Sequence, residues 1–382
     1  MTVTYLDNNA TTRPDPRVVE VMLPLLTELY GNPSSTHQFG SQLAARVQDA
    51  RRQVAALIGA RESEIIFTSG GTESDNTALR GVLGALPGKR RLVISAVEHH
   101  AVLECAEQIE REGVAVTHVP VDGDGRLDLA ALEAAISEDT ALVSVMLANN
   151  ETGVIFPLEA VCRIAAARRV PVHTDAVNAL GKMPIDVEKL GVSLLSLSAH
   201  KVYGPKGVGA LYLRRGTPFR PTQIGGGQEG KRRGGTLNVP GIIGLGTACE
   251  LLRQEQEALW PKTRRLRERL EAALLERFPS AQIIGASAER LPNTSCVCFE
   301  GLPSEPIIVL LSEAGVCVSA GAACSSGSLE VSHVLRAMGV PPALGHGQVR
   351  FSLGRFNTEA DVDRVLEVLP PIIEKVRASY AL

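Results

Sequence analysis

VSLLSLSAHK (192–201) is an apolar strand pattern that runs straight into Ala199, His200 and Lys201, and glycines follow at Gly204, Gly207 and Gly209. A lysine delivered by a buried strand into a glycine-rich bend is costly to leave as a free cation. Making it a reactive amine is one remedy, and covalent pairing with an aldehyde cofactor is the commonest use of such a lysine. A surface lysine just past a strand end fits this segment equally well, so the flanking sequence has to decide.

Outward from this strand, helical and strand signals alternate. SQLAARVQDARRQVAALIG (41–59) puts Leu43, Val47, Ala50, Val54 and Leu57 on one helical face. EIIFTS (64–69), RLVISA (91–96), VAVTHVPV (114–121), ALVSVMLANN (141–150) and VPVHTDAV (170–177) read as strands. Helical patterns such as AVLECAEQIEREG (101–113), DLAALEAAIS (128–137) and LEAVCRIAAARR (158–169) lie between them. This alternation predicts an α/β fold with a mostly parallel sheet covered on both faces. Ligands of such sheets bind beyond the carboxyl ends of the strands.

After about residue 262 the texture changes. A charged helical stretch, KTRRLRERLEAALLERF (262–278), leads to short strands such as TSCVCFE (294–300) and QVRFSLG (348–354). The expected organisation is a large domain over 16–262 and a smaller α+β domain over 263–382, with residues 1–15 packing against the smaller one. Pro370 and Pro371 are expected to kink or break the last helical stretch.

Composition narrows the classes of function. The 382 residues are 45% apolar and 21% charged, and 39 basic against 42 acidic residues leave a formal charge of −3. Direct binding of nucleic acid or an anionic membrane is not favoured by that balance. MTVTYLDNNATT at the start lacks the regions of a signal peptide, and no apolar run approaches membrane length. Seven scattered cysteines point to a reducing cytoplasm.

Several strand ends carry candidate chemistry. Ser69-Gly70-Gly71-Thr72-Glu73-Ser74 can cradle a phosphate at a helix N-terminus or serve as a plain cap; it lacks the lysine of a nucleotide P-loop. Asp175, in HTDAVNALGK (173–182), can pair with a protonated ring nitrogen or cap its strand. His99 can stack on a ring or move protons, and Asn149 and Asn150 offer amides. Arg350 can grip a carboxylate or form a structural ion pair. Cys324 lies in SAGAACSSGSLE (319–330), a run of small residues expected to be mobile and accessible, as thiolate chemistry requires. Cys296 and Cys298 share one strand face and read as core rather than as a metal pair.

Together these segments resemble the cysteine desulfurases of the NifS and IscS kind, members of the fold-type I pyridoxal-phosphate enzymes. The likeness runs through YLDNNATT (5–12), GNPSSTHQFG (31–40), FTSGGTESDN (67–76), VEHHAV (97–102) and ANNETGV (148–154). It continues through HTDAV (173–177), SAHKVYGPKGVGALY (198–212), CSSGSLE (324–330) and VRFSLGRF (349–356). The resemblance implies a cytoplasmic homodimer that removes sulfur from L-cysteine and passes it to an acceptor such as an iron–sulfur scaffold. A selenocysteine lyase, another pyridoxal-phosphate lyase or aminotransferase, and a desulfurase dedicated to tRNA or DNA sulfur modification are the alternatives.

By position, the resemblance gives Lys201 the covalent link to pyridoxal phosphate. Gly71, Thr72, Ser198 and His200 bind its phosphate, joined by Thr236 of the other subunit. Asp175 pairs its ring nitrogen, His99 stacks on the ring, and Asn178 sits near its phenolic oxygen. Asn150, also beside the cofactor, and Arg350 hold the substrate carboxylate. Cys324 attacks the substrate sulfur and keeps it as a persulfide. No intrinsic metal is implied, although Cys324 is placed to contact a cluster on a partner. Four positions depart from the family pattern. Asn178 stands for glutamine, Ala199 for glycine, Gly230–Lys231 for arginine–glycine, and Val331 for a proline whose loss is expected to loosen the cysteine loop.

Overall fold

The computed structural model describes residues 3–321 and 330–380. The strands, in chain order, begin with β1 (Thr4–Tyr5), β2 (Ile65–Thr68), β3 (Arg91–Ser95), β4 (Ala115–Val119), β5 (Thr140–Ser144) and β6 (Val172–Asp175). They continue with β7 (Leu194–Ser198), β8 (Gly209–Leu213), β9 (Ala281–Ile283), β10 (Thr294–Phe299), β11 (Val316–Cys317) and β12 (Gln348–Ser352). A seven-stranded sheet runs in the order β2-β8-β7-β6-β5-β3-β4, and β8 alone is antiparallel to its neighbours. The remaining six strands therefore end on the same side.

Strand alternation sorts the apolar residues onto two faces. Phe67, Val93, Val143, Leu195 and Leu197 pack into one core, while Ile66, Leu92, Ile94, Leu142 and Leu194 pack into another. The helix Gln38–Ile58 buries Leu43, Val47, Ala50, Val54 and Leu57, the face expected from its spacing. It stops at Gly59, whose φ of +69° a side chain would resist. Ala199 is fully buried, so the extra methyl at this position simply fills core.

The charged stretch at 262–278 is only the end of a 39-residue helix, Val239–Arg277. Its first half sends Ile242, Leu245 and Leu252 into the core of the large sheet. Its second half sends Leu266, Leu270 and Leu274 into a separate core with Leu6, Val297, Phe299 and Phe351. β10 lies between β9 and β12 in an antiparallel sheet, and β1 pairs in parallel with β11. Residues from the C-terminal third, including Cys296, Cys298, Val331, Val334 and Leu335, nonetheless join the first core. Val331 is buried against Gly345, which ties down the described chain just after the cysteine segment.

Of the kink or break expected at Pro370 and Pro371, the break does not occur. The helix Glu359–Tyr380 runs unbroken through both prolines. Proline at 370 removes the N–H that would bond the carbonyl four residues earlier. That carbonyl, Leu366 O, instead accepts from Arg277 Nη1 at 2.7 Å. Burial of Val365, Leu369, Ile372 and Ile373 along one face holds the helix on either side. Replacing Arg277 with methionine is expected to cost about 1 kcal/mol, read as a lower urea midpoint at unchanged slope.

Candidate active site

The carboxyl ends of β3, β5, β6 and β7 meet the start of the helix Gly71–Ala85 around a cavity of about 290 Å³. Gly71, Thr72, His99, Asn150, Asp175, Asn178, Ser198, His200, Lys201 and Arg350 all line it. Thr236 does not; it borders a separate hollow with Phe67, Ser69 and Arg233. Cys324 lies outside the described residues.

Lys201 sits in the 3-10 turn Ala199–Lys201 directly after β7. Its Nζ donates to the carbonyls of Asn9 and, at 2.9 Å, Ala10. The same N-terminal segment is pinned around the turn. Thr12 Oγ1 donates to His200 O at 2.9 Å, and His200 Nδ1 lies 3.2 Å from Thr11 Oγ1. The motif YLDNNATT thus forms one wall of the cavity, a role with no periodic or spacing signal in the sequence.

Asp175 is buried at the end of β6, where Oδ1 accepts from Val177 N at 2.8 Å. Burial pushes its pKa up to about 6, against the pull of the Val177 N–H and the Lys201 charge. Asp75 on the adjoining helix is also buried. Its Oδ1 has no hydrogen-bond partner, and desolvation plus the charge of Asp175 push it well above the carboxylate range. Such a pair favours a cationic group in the cavity.

The histidines beside it are neutral. Burial and the Lys201 charge push both His99 and His200 down to about 4. His99 Nδ1 accepts from Ala101 N at 3.1 Å, capping the helix His100–Arg111, so its proton sits on Nε2. Preceding it, Glu98 is fully buried, accepting from Ser95 Oγ at 2.5 Å and Met146 N at 2.8 Å. Desolvation pushes Glu98 up to about 8, and it fixes the loops that carry His99 and Asn150.

At the other end, Gly70 supplies no side-chain cap to the helix Gly71–Ala85. The N–H groups of its first turn open on a hollow shared with Ser198, His200 and Lys206, a geometry suited to an anion. A Cβ on Gly71 would lie 2.8 Å from Val177 Cγ2, so this approach needs glycine. Glu73 accepts from Ser69 N and is held by both nitrogen arms of Arg233. In the bend before Thr236, Lys231 adopts φ +65°, a conformation that favours the glycine expected there.

Arg350 is 2% exposed. Nη2 lies 3.0 Å from Asp7 Oδ1, and Nη1 donates to Asn150 O at 3.1 Å and Gly321 O at 3.0 Å. Nε is buried without a partner. Asn178, 5% exposed, accepts through Oδ1 from Lys182 Nζ at 2.8 Å, and its Nδ2 has no partner. The cavity thus offers an amine, a carboxylate suited to a cationic ring nitrogen, an unpaired amide donor, and a glycine-opened helix N-terminus. These groups fit pyridoxal phosphate. Asn9 and Glu151 also line the cavity, and Lys182 and Glu98 support it from behind. All four fall inside the stretches YLDNNATT, ANNETGV, HTDAVNALGK and VEHHAV, but the sequence alone assigns them no chemistry.

The family profile described as Aminotransferase class-V matches residues 4–365. A cysteine desulfurase of Trichormus azollae is 53% identical over 378 residues, covering 99% of this chain and 94% of its own length. The cysteine desulfurase NifS of Azotobacter vinelandii is 49% identical over 374 residues, covering 98% and 93%. A solved NifS-like protein superposes with a TM-score of 0.92 at 42% identity, covering 98% of this chain and all of its own.

Asp175 yields a test of the electrostatics in the cofactor-free protein. An acid whose pKa rises from 3.8 to about 6 on folding binds its proton more tightly in the folded state. Its contribution to stability therefore falls as the pH rises through that window. Asp175→Asn removes this term. Its unfolding free energy relative to the parent is expected to climb between about pH 4 and pH 6 and then level off. Parallel urea titrations of the two proteins across that range check it.

Proposed function

The chain belongs to the class-V aminotransferase family, and from that membership we propose that it is a pyridoxal-phosphate-dependent cysteine desulfurase. It takes the sulfur of L-cysteine, releases L-alanine, and holds the sulfur as a persulfide on Cys324 for an acceptor protein that builds iron–sulfur clusters. The observation that carries this reading is the convergence of Lys201, Asp175, the unpaired Asn178 amide and the Gly71–Thr72 helix start on one cavity.

When bound, pyridoxal phosphate supplies the electron sink that makes the substrate's Cβ–Sγ bond breakable. The protein's own groups do the rest. Lys201, whose amine rests on the carbonyls of Asn9 and Ala10, is the residue that would hold the cofactor through its aldehyde. Asp175 would pair with the ring nitrogen and favour its protonated form, which would also relieve the cost of the carboxylate's own burial. Gly71, Thr72, Ser198 and His200 hold the phosphate. His99, neutral and buried, covers the ring face with a movable proton on Nε2. The unpaired Asn178 amide would donate to the phenolic oxygen. Asn150 and Arg350 hold the substrate carboxylate, and Arg350 does so from an orientation already set by Asp7 and two carbonyls. The Cys324 thiolate attacks the substrate sulfur; a new S–S bond forms as the C–S bond breaks. The electron pair of the broken bond stays with the substrate carbon, which takes up protons to become alanine.

Assembly as a homodimer completes this reading, with Thr236 of each chain serving the other's phosphate site. Exposed apolar side chains support the pairing: Leu26 is 62% exposed, Tyr30 74% and Ile224 86%. The last lies in the same bend as Thr236. A cytoplasmic location is supported by Cys105, Cys162, Cys249, Cys296, Cys298 and Cys317 all being free thiols. Among the described residues, no helix is long and apolar enough to cross a membrane. We also propose the organisation by sequence, with residues 1–15 joining a small domain after residue 262.

The test is intact-mass measurement of the cofactor-loaded protein after exposure to L-cysteine without reductant. One added sulfur is expected on Cys324, reversed by reductant and matched by alanine release. Cys324→Ser is expected to lose the adduct and at least about a hundredfold in turnover. Full turnover by that variant overturns the assignment.

A further inference from the structure

Lys182 has no place in the chemistry above, yet it lies within reach of the cofactor cavity. Its Nζ donates to Asn178 Oδ1 at 2.8 Å and to Asn9 Oδ1 at 3.1 Å. Asn9 in turn donates to Asn150 O at 3.1 Å and Thr294 Oγ1 at 2.8 Å, and accepts from Asn293 Nδ2 at 3.0 Å. The backbone under Lys182 is pinned to the long helix. Trp260 Nε1 donates to Gly181 O at 3.0 Å, and Leu252 leaves no room for a Cβ on Gly181, which sits at φ +73°. The amine is thus aimed back at Asn178 from a fixed turn.

In this contact the Asn178 oxygen faces the amine: a protonated Lys182 can only donate, and an uncharged one directs its two N–H groups at the oxygens of Asn178 and Asn9. The oxygen is thereby occupied, and the Nδ2 hydrogens are left buried, without a partner, on the cavity wall. Asparagine here is one methylene shorter than the expected glutamine, so its orientation matters more. We propose that Lys182 is a positioning residue that holds the Asn178 amide so that its N–H meets the phenolic oxygen of the bound cofactor. The proposal rests on the pyridoxal-phosphate reading of the cavity.

The charged neighbours agree with this role. Burial pushes the Lys182 amine well below the usual lysine range, and the charges of Lys201 and Arg350 add to the effect. His200, the other titratable group facing it, is held neutral. An uncharged amine still carries two N–H groups, enough for the oxygens of Asn178 and Asn9.

The test is a pH titration of the visible absorption band in the protein loaded with pyridoxal phosphate. A donor to the phenolic oxygen stabilises its ionised form, so losing the donor raises the titration midpoint. Lys182→Met and Asn178→Ala are each expected to raise it by about one pH unit, a tenfold change in proton affinity. The double variant is expected to move no further than either single one. Lys182→Gln, too short to reach both oxygens, is read in parallel and is expected to shift in the same direction, so a folding failure in Lys182→Met leaves the question answerable. A parental midpoint in the Lys182 variants, or full additivity in the double variant, overturns the positioning role alone. A parent protein that forms no visible band with pyridoxal phosphate overturns the cofactor reading as well.

Discussion

Burial of Asp175 at the end of β6 is the constraint on which the rest of the site depends. A carboxylate there has lost most of its water, and one backbone N–H and a nearby lysine charge only partly offset that loss. Asp75 behind it is buried as well, and desolvation together with the Asp175 charge pushes its carboxyl toward the neutral, protonated form. The fold tolerates this arrangement because six strands of the sheet end on one side, so that cost is concentrated where a cationic ring can relieve it. The neutral histidines follow from the same desolvation, which disfavours charge on any group facing the cavity unless a partner is supplied.

The N-terminal segment joins this cavity to the second core. Leu6 packs with Phe351 and Val297, while Asn8 donates to Ser352 O at 2.8 Å. One residue on, Asn9 and Ala10 present their carbonyls to Lys201. Asp7 bonds Arg350 from the opposite side. A short extended stretch therefore fixes the amine and the guanidinium relative to one another. Movement of the second core would displace both at once, linking packing far from the cavity to the position of its charged groups.

Two of the proline-containing helices show how tertiary contacts override a local rule. Val239–Arg277 carries Pro261 and Glu359–Tyr380 carries two adjacent prolines, yet both continue. In the second, a side chain from the first replaces the missing hydrogen bond. Helix-breaking by proline is a statement about an isolated segment. Here the apolar faces on either side hold the axis, and the orphaned carbonyl finds a donor elsewhere in the chain.

Strand and helix order, the faces of the helix Gln38–Ile58, and the strand-end positions of His99, Asp175 and Lys201 were all legible in the sequence, because periodicity and punctuation are local properties. So was the likeness carried by its ordered motifs. What only the tertiary structure decided is which side chains complete the cavity. Asn9, Glu98 and Lys182 act through side-chain contacts that span up to 285 residues, and no local pattern encodes the distance between them. The continuity of the long helix through residue 262 and of the last helix through its prolines belongs to the same class. Each depends on burial and donors contributed by segments remote in sequence, and those exist only once the chain has folded.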